Sequence, residues 1–119
     1  MLDRLNDERQ KMNIEKLTFD KNLLVVARNH AQDMWQRKYF AHVSPDGKDV
    51  GDRLKDEKIS YNVAGENLAL APTTLTAHKG LMNSKGNREN ILDKRFKKVA
   101  IGVIDNGVYG KMYVQVFTN

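Results

Sequence analysis

Few side chains in this 119-residue sequence can move a proton or hold an ion at a fixed point. There are three histidines, His30, His42 and His78, and no cysteine, which excludes disulfides, thiolate metal sites and a cysteine nucleophile. Glu66 is the most informative carboxylate, because it is the only charge between Ala64 and Pro72 in a run otherwise fit for a buried strand. A buried carboxylate is costly unless it finds donors or a cation, or becomes neutral. Two readings of Glu66 stay open: a structural glutamate satisfied by backbone amides, or a carboxylate at the floor of a cleft. His42 lies between Tyr39-Phe40 and Ser44-Pro45-Asp46-Gly47. A turn-anchored imidazole of this kind is held rigidly and can serve as ligand or proton carrier, with a purely structural histidine as the alternative. His30 falls on an apolar helical stripe and reads as a satisfied core histidine. His78, on a helix flank, reads as surface.

Other chemistries find no support. There is no His-Glu-x-x-His helix and no pair of histidines at metal-ligand spacing. Gly-x-Ser-x-Gly is absent, and Ser44 belongs to a turn. No glycine-rich phosphate loop follows a strand. The net charge of +5 is concentrated from Lys85 to Lys98, where Lys85, Arg88, Lys94, Arg95, Lys97 and Lys98 oppose Glu89 and Asp93. Such a stretch can meet a polyanion, or it can be a solvated, partly paired face. No aromatic residues interleave it as a single-strand groove requires, so no specific nucleic-acid partner is expected.

The elements that must position these groups follow from spacing. Leu2, Leu5, Arg9 and Met12 predict a short first helix with Asp7, Glu8 and Lys11 outward. Asp20 is the predicted N-cap of a long helix whose inner line is Leu23, Ala27, His30 or Ala31, and Met34, flanked by Leu24, Arg28, Ala31 and Trp35. So wide an apolar face requires burial against a sheet or two helices. Ser44-Pro45-Asp46-Gly47 predicts a type I turn. Asp49 to Lys58 predicts a helix with Leu54 inward, and a strand is predicted to start at Ile59, Tyr61 and Val63 and run on to Leu70. Thr73 or Thr74 opens another helix, with Leu75, Lys79 and Met82 on one line and His78 and Leu81 beside it. Val99, Ile101 and Val103, the Asn106-Gly107 turn and a return strand from Val108 to Phe117 make a C-terminal hairpin, with Met112, Val114 and Val116 on one face. The length allows one domain, residues 1–119, with enough apolar residues for a core. The longest apolar run, Leu23 to Ala27, is far short of the about 20 residues that span a bilayer.

Taken together, Ala41-His42-Val43-Ser44-Pro45-Asp46-Gly47, Ala64-Gly65-Glu66-Asn67 and Leu81-Met82-Asn83-Ser84-Lys85-Gly86-Asn87-Arg88-Glu89-Asn90-Ile91-Leu92 resemble the bacterial branch of the CAP superfamily. This is the domain of cysteine-rich secretory proteins, antigen-5 venom allergens and plant pathogenesis-related proteins, also called the SCP domain. Tyr113-Val114-Gln115-Val116-Phe117 is similar to the family's closing strand. The resemblance spans essentially the whole chain. It implies an α+β fold, a three-layer α-β-α sandwich with a mainly antiparallel sheet and a large open cleft on one side. In many members two histidines and two acidic residues line that cleft, and in some the histidines hold a divalent metal. His42 matches the first histidine and Glu66 the glutamate of the Gly-Glu-Asn motif. Asn87 stands at the second histidine's position, Ser84 where animal members place the second glutamate, and Leu81 where a tryptophan is usual.

The implied cleft set is therefore His42, Glu66, Ser84 and Asn87, with His42 and Glu66 expected to face each other and to be the candidates for any catalysis. One imidazole, one carboxylate and a neutral amide make a poor divalent-metal site. No cofactor is expected, and at most weak metal binding at His42. Arg88 reads as a structural clamp on a helix C-terminus or carbonyl, and Asn67 and Asn90 as scaffold hydrogen-bonders. The resemblance implies a secreted or cell-envelope module, non-catalytic, that binds a small molecule, lipid, peptide or wall-derived ligand. An export signal or a further domain is expected upstream of Met1. The alternative is a protease-like hydrolase using His42 with Glu66 and water, for which neither a nucleophile nor an oxyanion stabiliser is evident. Oligomeric state is not legible.

Overall fold

Local capping chemistry starts three of the helices close to where the sequence predicts. In this computed structural model, which describes residues 1–105, 107 and 110–119, the Asp20 carboxylate accepts the backbone N–H groups of Asn22 and Leu23 at 2.8 and 3.1 Å. That satisfies donors at the start of helix α2 (Lys21–Arg37) that the helix itself leaves unpaired. Asp49 and Asp52 cap each other reciprocally at the start of α3 (Val50–Asp56), and Thr73 caps α4 (Thr74–Met82). Helices α1 (Leu2–Lys11) and α5 (Lys85–Ile91) complete the helical set among the described residues.

Four strands, β1 (Thr18–Phe19), β2 (Ala64–Ala71), β3 (Lys98–Asp105) and β4 (Lys111–Thr118), form one sheet in the order β1-β3-β4-β2. β1 runs parallel to β3 and the other pairs are antiparallel. β4 lies between β2 and β3 and is buried on both faces. Met112, Val114 and Val116 pack with Leu23, Val26, Ala27, Met34 and Leu54 of α2 and α3. On the opposite face Phe117 and Val99 pack with Leu5, Leu81 and Ile91 of α1, α4 and α5. The result is the α-β-α sandwich of the α+β class, with β2 at one edge. Asn106, Val108 and Tyr109 of the predicted hairpin turn and return strand lie outside the described residues.

Helix α2 sits so close to β3 that only glycine fits beneath it. A Cβ added at Gly102 would lie 2.5 Å from the carbonyl carbon of Ala27 and 2.6 Å from the nitrogen of Arg28. Both are backbone atoms and cannot swing aside, so Gly102→Ala must lift the helix from the sheet. We expect it to cost about 3 kcal/mol, the upper range for overpacking, measurable as a lower urea midpoint at unchanged m-value.

Several sequence expectations are corrected. The strand does not begin at Ile59. The chain reverses at Lys58 with φ +59°, and the Ile59 N–H folds back on the Leu54 carbonyl. The last register pair is Ala64 with Thr118, and beyond it Asn62 and Val63 bond only to the terminal Asn119, so the chain from Ile59 has no strand to pair with. Helix α4 buries Ala77, His78 and Leu81, while Leu75 is 39 % exposed, because the helix turns one side to β2 and the next to α1. His78 is accordingly buried, its Nε2 3.3 Å from Oε2 of Glu8, not at the surface. Met12 lies past the end of α1 and is exposed. Arg9, predicted on the inner line, is fully buried and donates to four main-chain carbonyls: Glu15, Ile91, Asp93 and Phe96.

Candidate functional site

The loop that carries His42 is pinned at both ends. Helix α2 stops at Lys38, which adopts left-handed φ +61° and returns its N–H to the Met34 carbonyl. The Tyr39 hydroxyl then donates to Asp33. Arg37 bridges Asp33, at 2.8 and 2.7 Å, to Asp46, at 2.9 Å. Ser44 Oγ donates to the same Asp46 oxygen at 2.6 Å, and the Gly47 N–H closes the predicted turn on the Ser44 carbonyl. Charge and hydrogen bonding agree here: Arg37 holds the Asp33 carboxyl below its usual range, and Ser44, then Arg37, do so for Asp46. Burial, then Asp33, pushes the Tyr39 phenol up to about 12.

Held this way, His42 reaches the acid predicted to face it. His42 Nδ1 lies 2.8 Å from Oε1 of Glu66. A carboxylate only accepts, so Nδ1 carries a proton, and in the neutral ring Nε2 is the nitrogen left as acceptor. The His42 side chain is 59 % exposed, whereas that of Glu66 is 2 % exposed. The acid is therefore sealed beneath the imidazole rather than lying bare on a cleft floor. Its partners are side chains, not backbone amides. Arg53 of α3, which sequence reasoning missed, donates from Nη2 to Glu66 Oε2 at 2.7 Å and to the His42 carbonyl at 3.1 Å, and from Nη1 to the Lys48 carbonyl. The buried anion is thus matched by a cation that also braces the loop. Ordinary spacing could not identify it, because Arg53 sits on a short helix rich in charges of both signs.

His30, read as a core residue, is buried and donates Nε2–H to the Ala41 carbonyl at 2.9 Å. The same nitrogen is 3.9 Å from Glu66 Oε1, close enough to feel its charge. Burial nevertheless dominates and pushes the His30 imidazole below its ordinary 6.5, against the pull of Glu66 and with Arg53 adding to the fall. A folded-state pKa below the unfolded value means that the native state binds fewer protons. The stability tied to neutral His30 is present in full above about pH 6.5 and drains as pH falls below it. Thermal midpoints are expected to hold steady above pH 7 and to decline from about 6.5 downward. Asp33, Asp46, Asp49 and Asp93, all held below the carboxylate range, add a further decline below about pH 4. Melts of the wild type and of His30→Gln between pH 3 and 8 check this: the variant should lose the first decline and keep the second.

The other two predicted cleft residues are placed differently. Side chains alternate along β2, so Glu66 faces α2 and α3 while Asn67 faces α4 and α5. Asn67 Nδ2 donates to the Asn87 carbonyl at 3.0 Å and to Gln115 Oε1, and Asn90 Nδ2 donates to Asn67 Oδ1 and to the Glu66 carbonyl. Asn87 is therefore anchored on the opposite side of the strand from the Glu66 carboxylate, and the two sides meet only around the outer edge of β2. There Asn87 lines an open groove of about 550 Å³ with Phe40, Leu68, Leu70, Ala77 and Leu81. Ser84 is exposed at the start of α5 and hydrogen-bonds to none of the other three. Asn67 and Asn90 are the scaffold residues predicted. Arg88 donates to the Met82 carbonyl, the clamp on a helix end that was one of its two readings. In the basic stretch, Arg95, Lys97 and Lys98 pair with Asp93, Glu15 and Asp20, so half of its six basic side chains are partnered.

A divalent metal fits this donor set poorly. Among the described residues no three His, Asp or Glu side chains converge to hold an ion. Both Glu66 oxygens are engaged, one by a cation.

The family model described as the cysteine-rich secretory protein family, CAP, matches residues 2–117. The uncharacterized protein YkwD of Bacillus subtilis is 40 % identical over 103 residues, covering 86 % of this chain and 40 % of that protein's length. An extracellular protein containing an SCP domain from Bacillus anthracis superposes with a TM-score of 0.91 at 35 % identity, over 99 % of this chain and 38 % of that one. An outer surface protein of Borrelia burgdorferi has the same fold, with a TM-score of 0.92 at 19 % identity over 99 % of this chain and 88 % of its own. This chain thus spans about two-fifths of its Bacillus relatives.

Proposed function

The chain belongs to the cysteine-rich secretory protein (CAP) family, and from that premise we propose that it is a non-catalytic module of the extracellular space or cell envelope that binds a ligand at the outer edge of β2. The observation that carries this reading is the pairing of exposed His42 with sealed Glu66. Glu66 fixes the imidazole orientation, so that Nε2 of the neutral ring is a rigid acceptor two residues along the chain from Phe40, which lines a largely apolar groove. A few fixed polar groups in an apolar cleft are the usual make-up of a ligand site. The extracellular and outer-surface relatives support the location. No helix among the described residues is long and apolar enough to cross a membrane.

Hydrolysis by the same pair is the weaker reading. The carboxylate–imidazole arrangement does resemble the base of a catalytic triad. The hydroxyl two residues on, Ser44, is only 7 % exposed and already bonds Asp46 and the Lys48 main chain. A base without an activated nucleophile or an oxyanion stabiliser lacks the larger part of the rate enhancement.

The test is a solution NMR screen of the ¹⁵N-labelled domain against short peptides, fatty acids and muropeptide fragments, with hydrolysis products assayed in parallel. One class is expected to shift the His42 and Asn87 signals without turnover. His42→Ala should weaken that binding about tenfold and leave the melting midpoint nearly unchanged, since its side chain is mostly exposed. Turnover abolished by both His42→Ala and Glu66→Gln would establish the hydrolase instead. The same material titrated with zinc in a calorimeter should show no sub-micromolar site. A tight site lost in His42→Ala would refute the poor-donor argument.

A further inference from the structure

β2 is the outermost strand on its side of the sheet, and the phase of its backbone can be read directly. The Glu66 carbonyl accepts from Asn90, not from β4, so the main-chain groups of Glu66 point away from the sheet. In an antiparallel pair this alternates with a period of two, so the N–H and C=O of Leu68 and Leu70 point outward as well. The register gives an independent check. Ala100 pairs with Val116 across β3–β4, Glu66 pairs with Val116 across β2–β4, and the Val99 carbonyl turns outward to accept from Asp20. Among the described residues no side-chain, turn or loop hydrogen bond uses the main-chain N–H or C=O of Leu68 or Leu70, and the register leaves them outside the ladder with β4.

Natural sheets protect such an edge with lysine, proline, a bulge or an inward charge. Between Asn67 and Ala71 β2 has none of these, and its register with β4 runs unbroken from Ala64 to Ala71. Its one charge, Glu66, is neutralised inside, and only there is the edge closed, by Asn90. The opposite edge of the sheet is the two-residue β1. Beside the open stretch lies the groove between β2 and α4, with Leu70 50 % and Phe40 44 % exposed.

We propose that this stretch takes up an extended polypeptide segment as an added strand, bonded main chain to main chain at Leu68 and Leu70, with apolar side chains in the groove. This rests on the ligand-binding reading of the same cleft and names the ligand's class. An alternating row of two donors and two acceptors is matched by extended backbone, which an acyl chain cannot supply. Pairing with a second copy is disfavoured by size: ten residues line the groove, against about 20–30 a side in a stable protein interface. The added strand stops at Glu66, where Asn90 occupies the carbonyl, so His42 stands beside its end.

The experiment uses the whole chain and a blocked heptapeptide alternating threonine with valine or leucine. Two further peptides are N-methylated at alternate amides, one on the odd set and one on the even. The parent peptide is expected to shift the Leu68 and Leu70 amide signals downfield and to slow their hydrogen exchange. One N-methylated set should bind about tenfold more weakly, from lost hydrogen bonds, and the other nearly as well as the parent. Leu70→Pro, which removes an outward N–H and no ladder bond, should abolish binding while the Leu68 signal and the melting curve report a folded sheet. Equal binding by all three peptides, or binding by palmitate alone, would overturn the strand and leave the cleft a ligand site. Protection of Leu68 and Leu70 that grows with protein concentration alone would make a second copy the occupant and overturn it too. No response at the groove to any probe would count against both readings.

Discussion

Glu66→Ala is expected to lower unfolding stability by about 3–5 kcal/mol, the usual cost of removing one partner from a buried ion pair. The remaining cation is the reason. Arg53 has a side chain only 12 % exposed and an Nε with no hydrogen-bond partner. Without the carboxylate it keeps the carbonyls of Lys48 and His42 but no counter-charge. Replacing both partners by apolar residues, in Glu66→Leu with Arg53→Met, should recover part of the loss, and the interaction energy from this double-mutant cycle should be about 2 kcal/mol or more. Urea unfolding of the four proteins measures it. Additive single effects would mean that the pair is exposed enough for water to replace either member. The same variant should release His42, so its ring signals should average between tautomers even where the sheet remains folded.

Arg9→Met is expected to be comparably severe, about 4 kcal/mol. Arg9 closes the loop after α1 and the segment between α5 and β3 through four carbonyls at 2.7 to 3.4 Å. Methionine fills most of the volume and leaves all four acceptors facing an apolar wall, and each buried group left unsatisfied costs about 1–3 kcal/mol, not additively. Since a domain of this size has about 5–15 kcal/mol in hand, a large unfolded fraction near 37 °C follows. Arg9→Lys should recover less than half, because an ammonium is a point charge and cannot span divergent carbonyls as a planar fork does. Thermal melts of both variants give the comparison, and a lysine variant as stable as wild type would show that charge, not geometry, fills the role. Arginine stays protonated throughout the neutral range, so the loss is not expected to depend on pH there.

Both residues show how far the chain could be read without coordinates. That Glu66 needed a partner was legible, because a lone acid in an apolar run cannot be buried bare. That the partner would be an arginine of α3 was not, because nothing local separates Arg53 from its exposed neighbours. Arg9 was legible as inward by its spacing with Leu5, but its four carbonyls come partly from residues more than 80 positions away. His78 was misplaced because a helix flank becomes interior once a second helix, α1, lies against it. Asn87 was grouped with Glu66 from resemblance, and its main-chain carbonyl is held by Asn67, the neighbour that alternation turns to the other face of β2.

What the amino-acid order determined by itself was decided within about four residues: the cap at Asp20, the helix starts near Asp49 and Thr73, the turn at Gly47, and the period-two faces of β3 and β4. These depend on covalent geometry and on donors and acceptors that the chain brings together at every encounter. Only the tertiary structure decided which side of α4 is buried, which cation meets Glu66, and which strand is left with an open edge. Those outcomes are set by packing angle and strand register between distant segments, where many near-equal local choices are resolved by one shared core.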